Sequence, residues 1–218
     1  MPPVESSAPV TEVARRLERA GIRLPEAESA ALAHFLDLLM RWNRVYNLTG
    51  IRDLAELVDR HLIESLALRP LLKGDRVADV GTGAGLPGVP LAITERARSF
   101  TLIESRAKRV RFLRHVAAEL DLANTQVAHG RAEHLRPDRP FDTVLARAVA
   151  PPAELLAICR NLTAPGSILL LLTATHLQAA FDGLAPDFVL RRVAPEHRDS
   201  VPKLRSSIVL LERTDAKT

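Results

Sequence analysis

The run Arg76-Val77-Ala78-Asp79-Val80-Gly81-Thr82-Gly83-Ala84-Gly85-Leu86-Pro87-Gly88 restricts the folds open to this chain more than any other stretch. It begins as a short apolar run bounded by Gly74 and Asp75, the pattern of a buried strand. Glycines then fall at alternate positions, and Val89-Pro90-Leu91-Ala92-Ile93 resumes as an apolar helical run. A strand feeding a glycine-rich turn and then a helix is the nucleotide-cradling unit of doubly wound α/β folds. The glycines let the backbone approach a ligand that a Cβ would hold away. The helix start leaves N–H groups free for a carboxylate or phosphate.

Two ligand classes use this geometry. Gly83-x-Gly85-x-x-Gly88 also fits the dinucleotide fingerprint, a weak signal by itself. Asp79, just ahead of the first glycine, separates the classes. Its carboxylate would repel a pyrophosphate but attract the ammonium and sulfonium of S-adenosylmethionine. The next strand-like run, Phe100-Thr101-Leu102-Ile103, ends in Glu104, placed to accept hydrogen bonds from both hydroxyls of a ribose. The residues therefore predict an S-adenosylmethionine site built on Asp79, Gly81, Gly83, Gly85 and Glu104. A ligand-free tight turn and a nicotinamide-dependent oxidoreductase are the competing readings, and Asp79 disfavours the second.

The segments around this unit alternate. Thr11 caps a first helix with Val13, Leu17 and Ala20 on one face, and Gly21 ends it. Pro25 starts a longer helix in which Leu32, Phe35, Leu39, Trp42 and Tyr46 recur as a core-type stripe. Asn47-Leu48-Thr49-Gly50 breaks it. A third helical pattern runs from Asp53 through Leu54, Leu57, Val58, Leu62 and Leu66 until Pro70. Residues 1–72 thus form a helical cap, and 73–218 form the α/β body. After the glycine turn come a helix over 106–122 and strands over 125–128 and 141–146. A helix over 153–162 and a strand over 167–172 follow. The tail reads as a helix near 176–184 and strands near 187–193 and 206–211. This alternation predicts a mostly parallel sheet covered on both faces, the Rossmann-like class.

Two basic features flank the expected ligand edge. Arg106, Lys108, Arg109, Arg111 and Arg114 crowd the first half of the helix after Glu104. Positive charge at a helix N-terminus opposes the macrodipole, so the cluster fits an anionic partner or a solvated face. Arg147 closes the fourth strand beside the same cleft. It fits a ligand or RNA contact, or an internal ion pair to Asp79 or Glu104. Composition narrows the rest. The 218 residues carry a net charge of +4 and are 47% hydrophobic, enough for a packed core. One cysteine, Cys159, excludes a disulfide framework and a cysteine-built zinc site, and no metal is expected. No run reads as a membrane span or signal peptide, so a cytoplasmic protein is expected, with no membrane or DNA partner.

Several segments resemble a known family. Trp42-Asn43-Arg44-Val45-Tyr46-Asn47-Leu48-Thr49 and Arg60-His61-Leu62-Ile63-Glu64-Ser65-Leu66 are similar to its N-terminal motifs. Asp79 to Pro90, Lys108 to Arg114 and Ala146-Arg147-Ala148-Val149-Ala150 follow in the same order. The chain resembles the bacterial small-subunit rRNA methyltransferase G family, also called glucose-inhibited division protein B, from about Leu32 to Ile208. The resemblance implies S-adenosylmethionine-dependent methylation of guanine N7 at guanine 527, in the 530 loop of 16S rRNA, free or in the small ribosomal subunit. It places cofactor contacts on Gly81, Leu86, Ala132, Glu133 and Arg147. RNA contacts are expected from Arg106, Lys108, Arg109, Arg111, Arg114 and Arg205. No catalytic acid or base is expected, because guanine N7 carries a free lone pair and needs only alignment.

The chain also departs from that pattern. Leu172-Thr173-Ala174 stands where the family has Lys-Gly, and Glu64 replaces its usual Asp. His61 reads equally as a structural histidine. A small-molecule methyltransferase would share the cofactor cleft but lack the basic helix and the Asn-Leu-Thr segment, and a methyltransferase of another RNA is a further alternative. A non-catalytic ribosome-binding relative would keep the fold without the intact glycine turn.

Overall fold

A computed structural model describes residues 7–147, 150–173, 186–192 and 206–215. The chain opens with α1 (Ser7–Arg19) and α2 (Glu26–Tyr46). Next come α3 (Leu54–Leu57), a π-helical turn (Val58–Leu62) and α4 (Ile63–Leu66), which run on consecutively. The body is β1 (Arg76–Val80), α5 (Gly88–Thr94), β2 (Ser99–Glu104), α6 (Ala107–Glu119) and β3 (Thr125–His129). It continues with β4 (Thr143–Arg147), α7 (Pro152–Arg160), β5 (Ile168–Thr173), β6 (Phe188–Arg192) and β7 (Ser207–Arg213).

The strands form one sheet in the order β3-β2-β1-β4-β5-β7-β6. The first five strands are parallel, and β7 inserts antiparallel between β5 and β6. Chain order reverses between β1 and β4, the topological switch point where a ligand crevice opens at the carboxyl ends of the strands. The inner parallel strands β1, β4 and β5 are buried on both faces, and their alternation sorts two cores. Val77, Phe100, Leu102, Leu145 and Leu170 join Leu32, Phe35, Leu39, Leu57 and Leu62 of the N-terminal helices in one core. Ala78, Val80, Val144, Leu169 and Leu171 meet Leu155, Leu156 and Cys159 of α7 in the other. The first core runs without a break across residue 72, and the N-terminal helices pack against α5 and α6, which lie on the sheet.

Some element limits shift from those the sequence predicts. The first helix begins at Ser7, ahead of Thr11. The fourth strand starts at Thr143 instead of Phe141, because the Asp142 carboxylate accepts the Asp75 and Arg76 amides, each at 2.9 Å, and ties this corner to the start of β1. The helix expected over 176–184 lies outside the described residues.

Candidate active site

The glycine turn after β1 follows from its residues. Gly81, Gly83 and Gly85 take φ of 62°, 60° and 86°, a region that costs any side-chain-bearing residue. Two of the glycines also answer to close packing. A Cβ on Gly85 would lie 2.6 Å from Val89 Cγ2, and one on Gly88 would lie 2.4 Å from Leu102 Cδ2 and 2.7 Å from Asp79 Oδ2. Asp79 organises the turn from beneath. Its Oδ2 accepts the Thr82 hydroxyl at 2.6 Å and the Gly88 amide at 2.8 Å. The residue is 1% exposed and is not among the residues that line the cleft, while its Oδ1 has no hydrogen-bond partner among the described residues. Burial pushes its carboxyl up to about 7; the Thr82 and Gly88 hydrogen bonds and the Arg147 charge oppose the shift.

Above the turn lies a cleft of about 870 Å³, and Gly81, Gly83, Leu86, Glu104, Ala132, Glu133 and Arg147 all line it. Glu104 accepts the Gly83 amide at 3.1 Å and the Arg106 amide at 2.8 Å, so the end of β2 locks both the turn and the start of α6. Arg109 Nη1 reaches the same carboxylate at 3.4 Å. A carboxylate has about four lone-pair sites; the two amides take two, and a ribose diol would take the other two by displacing the long Arg109 contact. Arg106 and Arg109 therefore face this cleft, whereas Lys108, Arg111 and Arg114 are exposed on α6. Arg205 lies outside the described residues.

Thr49, Glu56, Arg60, His61, Ala150 and Glu154 line the same cleft. Arg147 forms no ion pair with Asp79 or Glu104, and its Nη1 is buried without a hydrogen-bond partner among the described residues. Burial lowers its pKa; Glu64 and Asp79 resist the shift and Arg60 adds to it. His61 sits in the π-helical turn, a feature frequent at functional sites. It is 5% exposed, and its Nδ1 has no hydrogen-bond partner among the described residues. Burial, helped by the Arg147 and Arg60 charges, pushes its pKa down to about 4, so the ring is neutral at pH 7. Glu64 Oε1 accepts the Ser206 amide at 3.1 Å, tying the helical layer to the start of β7.

Sequence reasoning missed one positioning residue. Asn43 Oδ1 accepts the Thr49 amide at 2.9 Å, and its Nδ2 donates to the Ile51 carbonyl at 3.0 Å. The loop that follows α2, and with it one wall of the cleft, is strapped to the helix by this one buried amide. A polar residue inside an otherwise apolar helical stripe was the available signal.

A family model described as rRNA small subunit methyltransferase G matches residues 28–205. The Ribosomal RNA small subunit methyltransferase G of Cronobacter sakazakii is 40% identical over 190 residues, covering 87% of this chain and 90% of that protein. The protein of the same name from Pseudomonas aeruginosa is 38% identical over 206 residues, covering 93% and 95%. Solved structures share the fold at low identity. A mutant of MtNAS in complex with S-adenosylmethionine has a TM-score of 0.57 at 15% identity, covering 96% of this chain and 100% of that one. A SAM dependent methyltransferase from Aquifex aeolicus has a TM-score of 0.56 at 16% identity, covering 72% and 92%.

Proposed function

The chain belongs to the rRNA small subunit methyltransferase G family, and from that premise we propose that it methylates N7 of a guanine in the 530 loop of 16S rRNA, with S-adenosylmethionine as donor. The observation that carries this reading is that one cleft is lined both by residues at the carboxyl ends of the strands, which suit a nucleoside, and by residues of the N-terminal helical layer, which suit the target base.

The strand-end side of the cleft fits the cofactor. Its turn is held open by positive-φ glycines, the buried Glu104 carboxylate can take a ribose diol in place of the long Arg109 contact, and Arg147 offers an unpartnered N–H. Glu104 would hold the ribose hydroxyls, Ala132 and Glu133 would frame the adenine, and Arg147 would meet the carboxylate end. S-adenosylmethionine supplies an electrophilic methyl group on a sulfonium.

The chain's own work is then to bind, orient and exclude water. Guanine N7 is unprotonated at neutral pH and presents its lone pair in the ring plane, so no side chain has to remove a proton. The rest of the cleft lining suits that chemistry. His61 is neutral and adds no further cation to Arg60 and Arg147, and Arg60 is itself paired with Glu56 at 3.1 Å. Glu56 and Glu154 provide acceptors for a guanine's N1–H and N2–H₂ edge, a discrimination that adenine cannot satisfy. Holding the reacting atoms in line accounts for the rate gain this reaction needs. The target base must be unstacked to enter, as single-stranded RNA recognition requires.

Methyl-labelled S-adenosylmethionine incubated with small ribosomal subunits, and separately with stripped 16S rRNA, both from cells lacking this enzyme, tests the reading. Label in the rRNA supports it. No label in either substrate, with cofactor binding intact, points to another acceptor.

A further inference from the structure

Two large apolar side chains stand out as exposed among the described residues, Val45 at 70% and Tyr46 at 37%. Both lie at the C-terminal end of α2, and the exposure of Tyr46 corrects the core position that the sequence stripe predicts for it. They are not isolated. Trp42, half-buried, packs on Tyr46 with ring centroids 5.2 Å apart, and on Phe112 and His115 of α6 at 5.5 Å and 5.6 Å. Phe112 is fully buried, so the aromatic chain runs from the core of α6 outward and ends on an exposed phenol. Besides Trp42, the Tyr46 ring meets the Lys108 ammonium, 6.0 Å from its centroid, at the outer limit of a cation–π contact. Arg111 and Arg114 stand exposed on the same helix as Lys108.

The patch borders the active-site cleft. Leu48 to Ile51, just beyond Tyr46, line the cleft, and so does Arg109, next to Lys108. Asn43 holds this geometry through its bonds to Thr49 and Ile51, so the ring keeps a fixed place relative to the cleft mouth.

We propose that Tyr46 is a stacking platform for a nucleotide of the single-stranded RNA that flanks the target base, with Lys108, Arg111 and Arg114 on its phosphates; this rests on the rRNA reading above. A braced aromatic ring beside flexible cations is the combination that single-stranded RNA uses, since every base has a π-face and every nucleotide a phosphate. Lys108 is a long, flexible cover for the ring. A base displaces it, and the ammonium moves onto that nucleotide's phosphate. The platform holds one neighbour in place while the target base turns into the cleft at His61.

The test measures binding of the full chain to stripped 16S rRNA, to a 530-loop hairpin and to small ribosomal subunits at several salt concentrations, beside S-adenosylmethionine binding by calorimetry. Tyr46→Ala should weaken RNA binding about tenfold, within the range for losing one base–aromatic stack, with no change in salt slope. Tyr46→Phe should stay within about twofold of the wild type, because the π-face survives. Lys108→Ala should reduce the salt slope by about one phosphate contact. Since Trp42 is the single tryptophan, its emission should change on RNA binding in the wild type and change less in Tyr46→Ala. Unchanged RNA affinity in Tyr46→Ala overturns the platform while leaving the methyltransferase reading intact. Equal loss of cofactor and RNA binding overturns it too, by assigning Tyr46 a structural role. If the wild type binds cofactor but neither these RNAs nor small ribosomal subunits, the rRNA reading itself fails.

Discussion

The Oδ2 atom of Asp79 accepts the Gly88 amide at 2.8 Å, closing the glycine-rich turn from its first residue to the start of α5. The acid that the sequence marks as a ligand contact also holds the turn from beneath, through the Thr82 hydroxyl and the Gly88 amide.

The burial of Asp79 predicts a pH signature. The Asp79 carboxyl sits at about 7 in the folded chain, above its ordinary value, so the folded state holds this proton more tightly than the unfolded state. Its contribution to stability is present at low pH and falls as pH rises through about 7. Asp79→Asn keeps an acceptor for Gly88 and cannot ionise. Urea unfolding should show the variant gaining on the wild type between pH 5 and pH 8. The same difference at both values would remove Asp79 as the source.

His61 carries the opposite sign. Its pKa of about 4 lies below the ordinary histidine value, so the unfolded state binds the proton more tightly. Stability is complete above about pH 6.5 and declines as the solution is acidified toward pH 4. His61→Gln should flatten that decline in unfolding midpoints taken between pH 7 and pH 5. An equally steep decline would show that His61 titrates normally.

Glu104 tests the cofactor reading of the cleft. Glu104→Gln sets an amide donor against the Gly83 or Arg106 N–H that the carboxylate accepts. A lost charged hydrogen bond is worth about 1.5–3 kcal/mol, so S-adenosylmethionine should bind roughly ten- to a hundredfold more weakly in calorimetry. Wild-type affinity would exclude Glu104 from the site.

Gly88 tests the packing of the turn. Gly88→Ala forces a methyl group against Leu102 and the Asp79 carboxylate and should cost about 1–3 kcal/mol in chemical unfolding. Gly50→Ala, where nothing lies within 4 Å, is the matched control and should change stability little. Equal effects would show that the close approach at Gly88 is relieved at no cost.

The sequence made the turn legible because alternate glycines between a strand and a helix have few other uses, and Glu104 followed from its place at a strand end. The π-helical turn at His61 was hidden, since Leu57, Val58 and Leu62 satisfy an ordinary helical stripe as well. Asp79 shows a different limit: residue type and position mark its neighbourhood, but that its Oδ2 holds the Thr82 hydroxyl and the Gly88 amide depends on packing that Gly88 and Leu102 set from other elements. Arg109 likewise reads as one basic residue among five, and only the fold brings it onto Glu104.

The most direct test of the central claim maps the methyl group. Small subunits from cells lacking this enzyme are treated with the protein and S-adenosylmethionine, and N7-methylguanine in their rRNA is located by borohydride–aniline cleavage. A single new cleavage within the 530 loop, lost with Glu104→Gln at limiting cofactor, is the predicted result. Cleavage elsewhere, or methyl incorporation with no cleavage in that loop, would contradict the account.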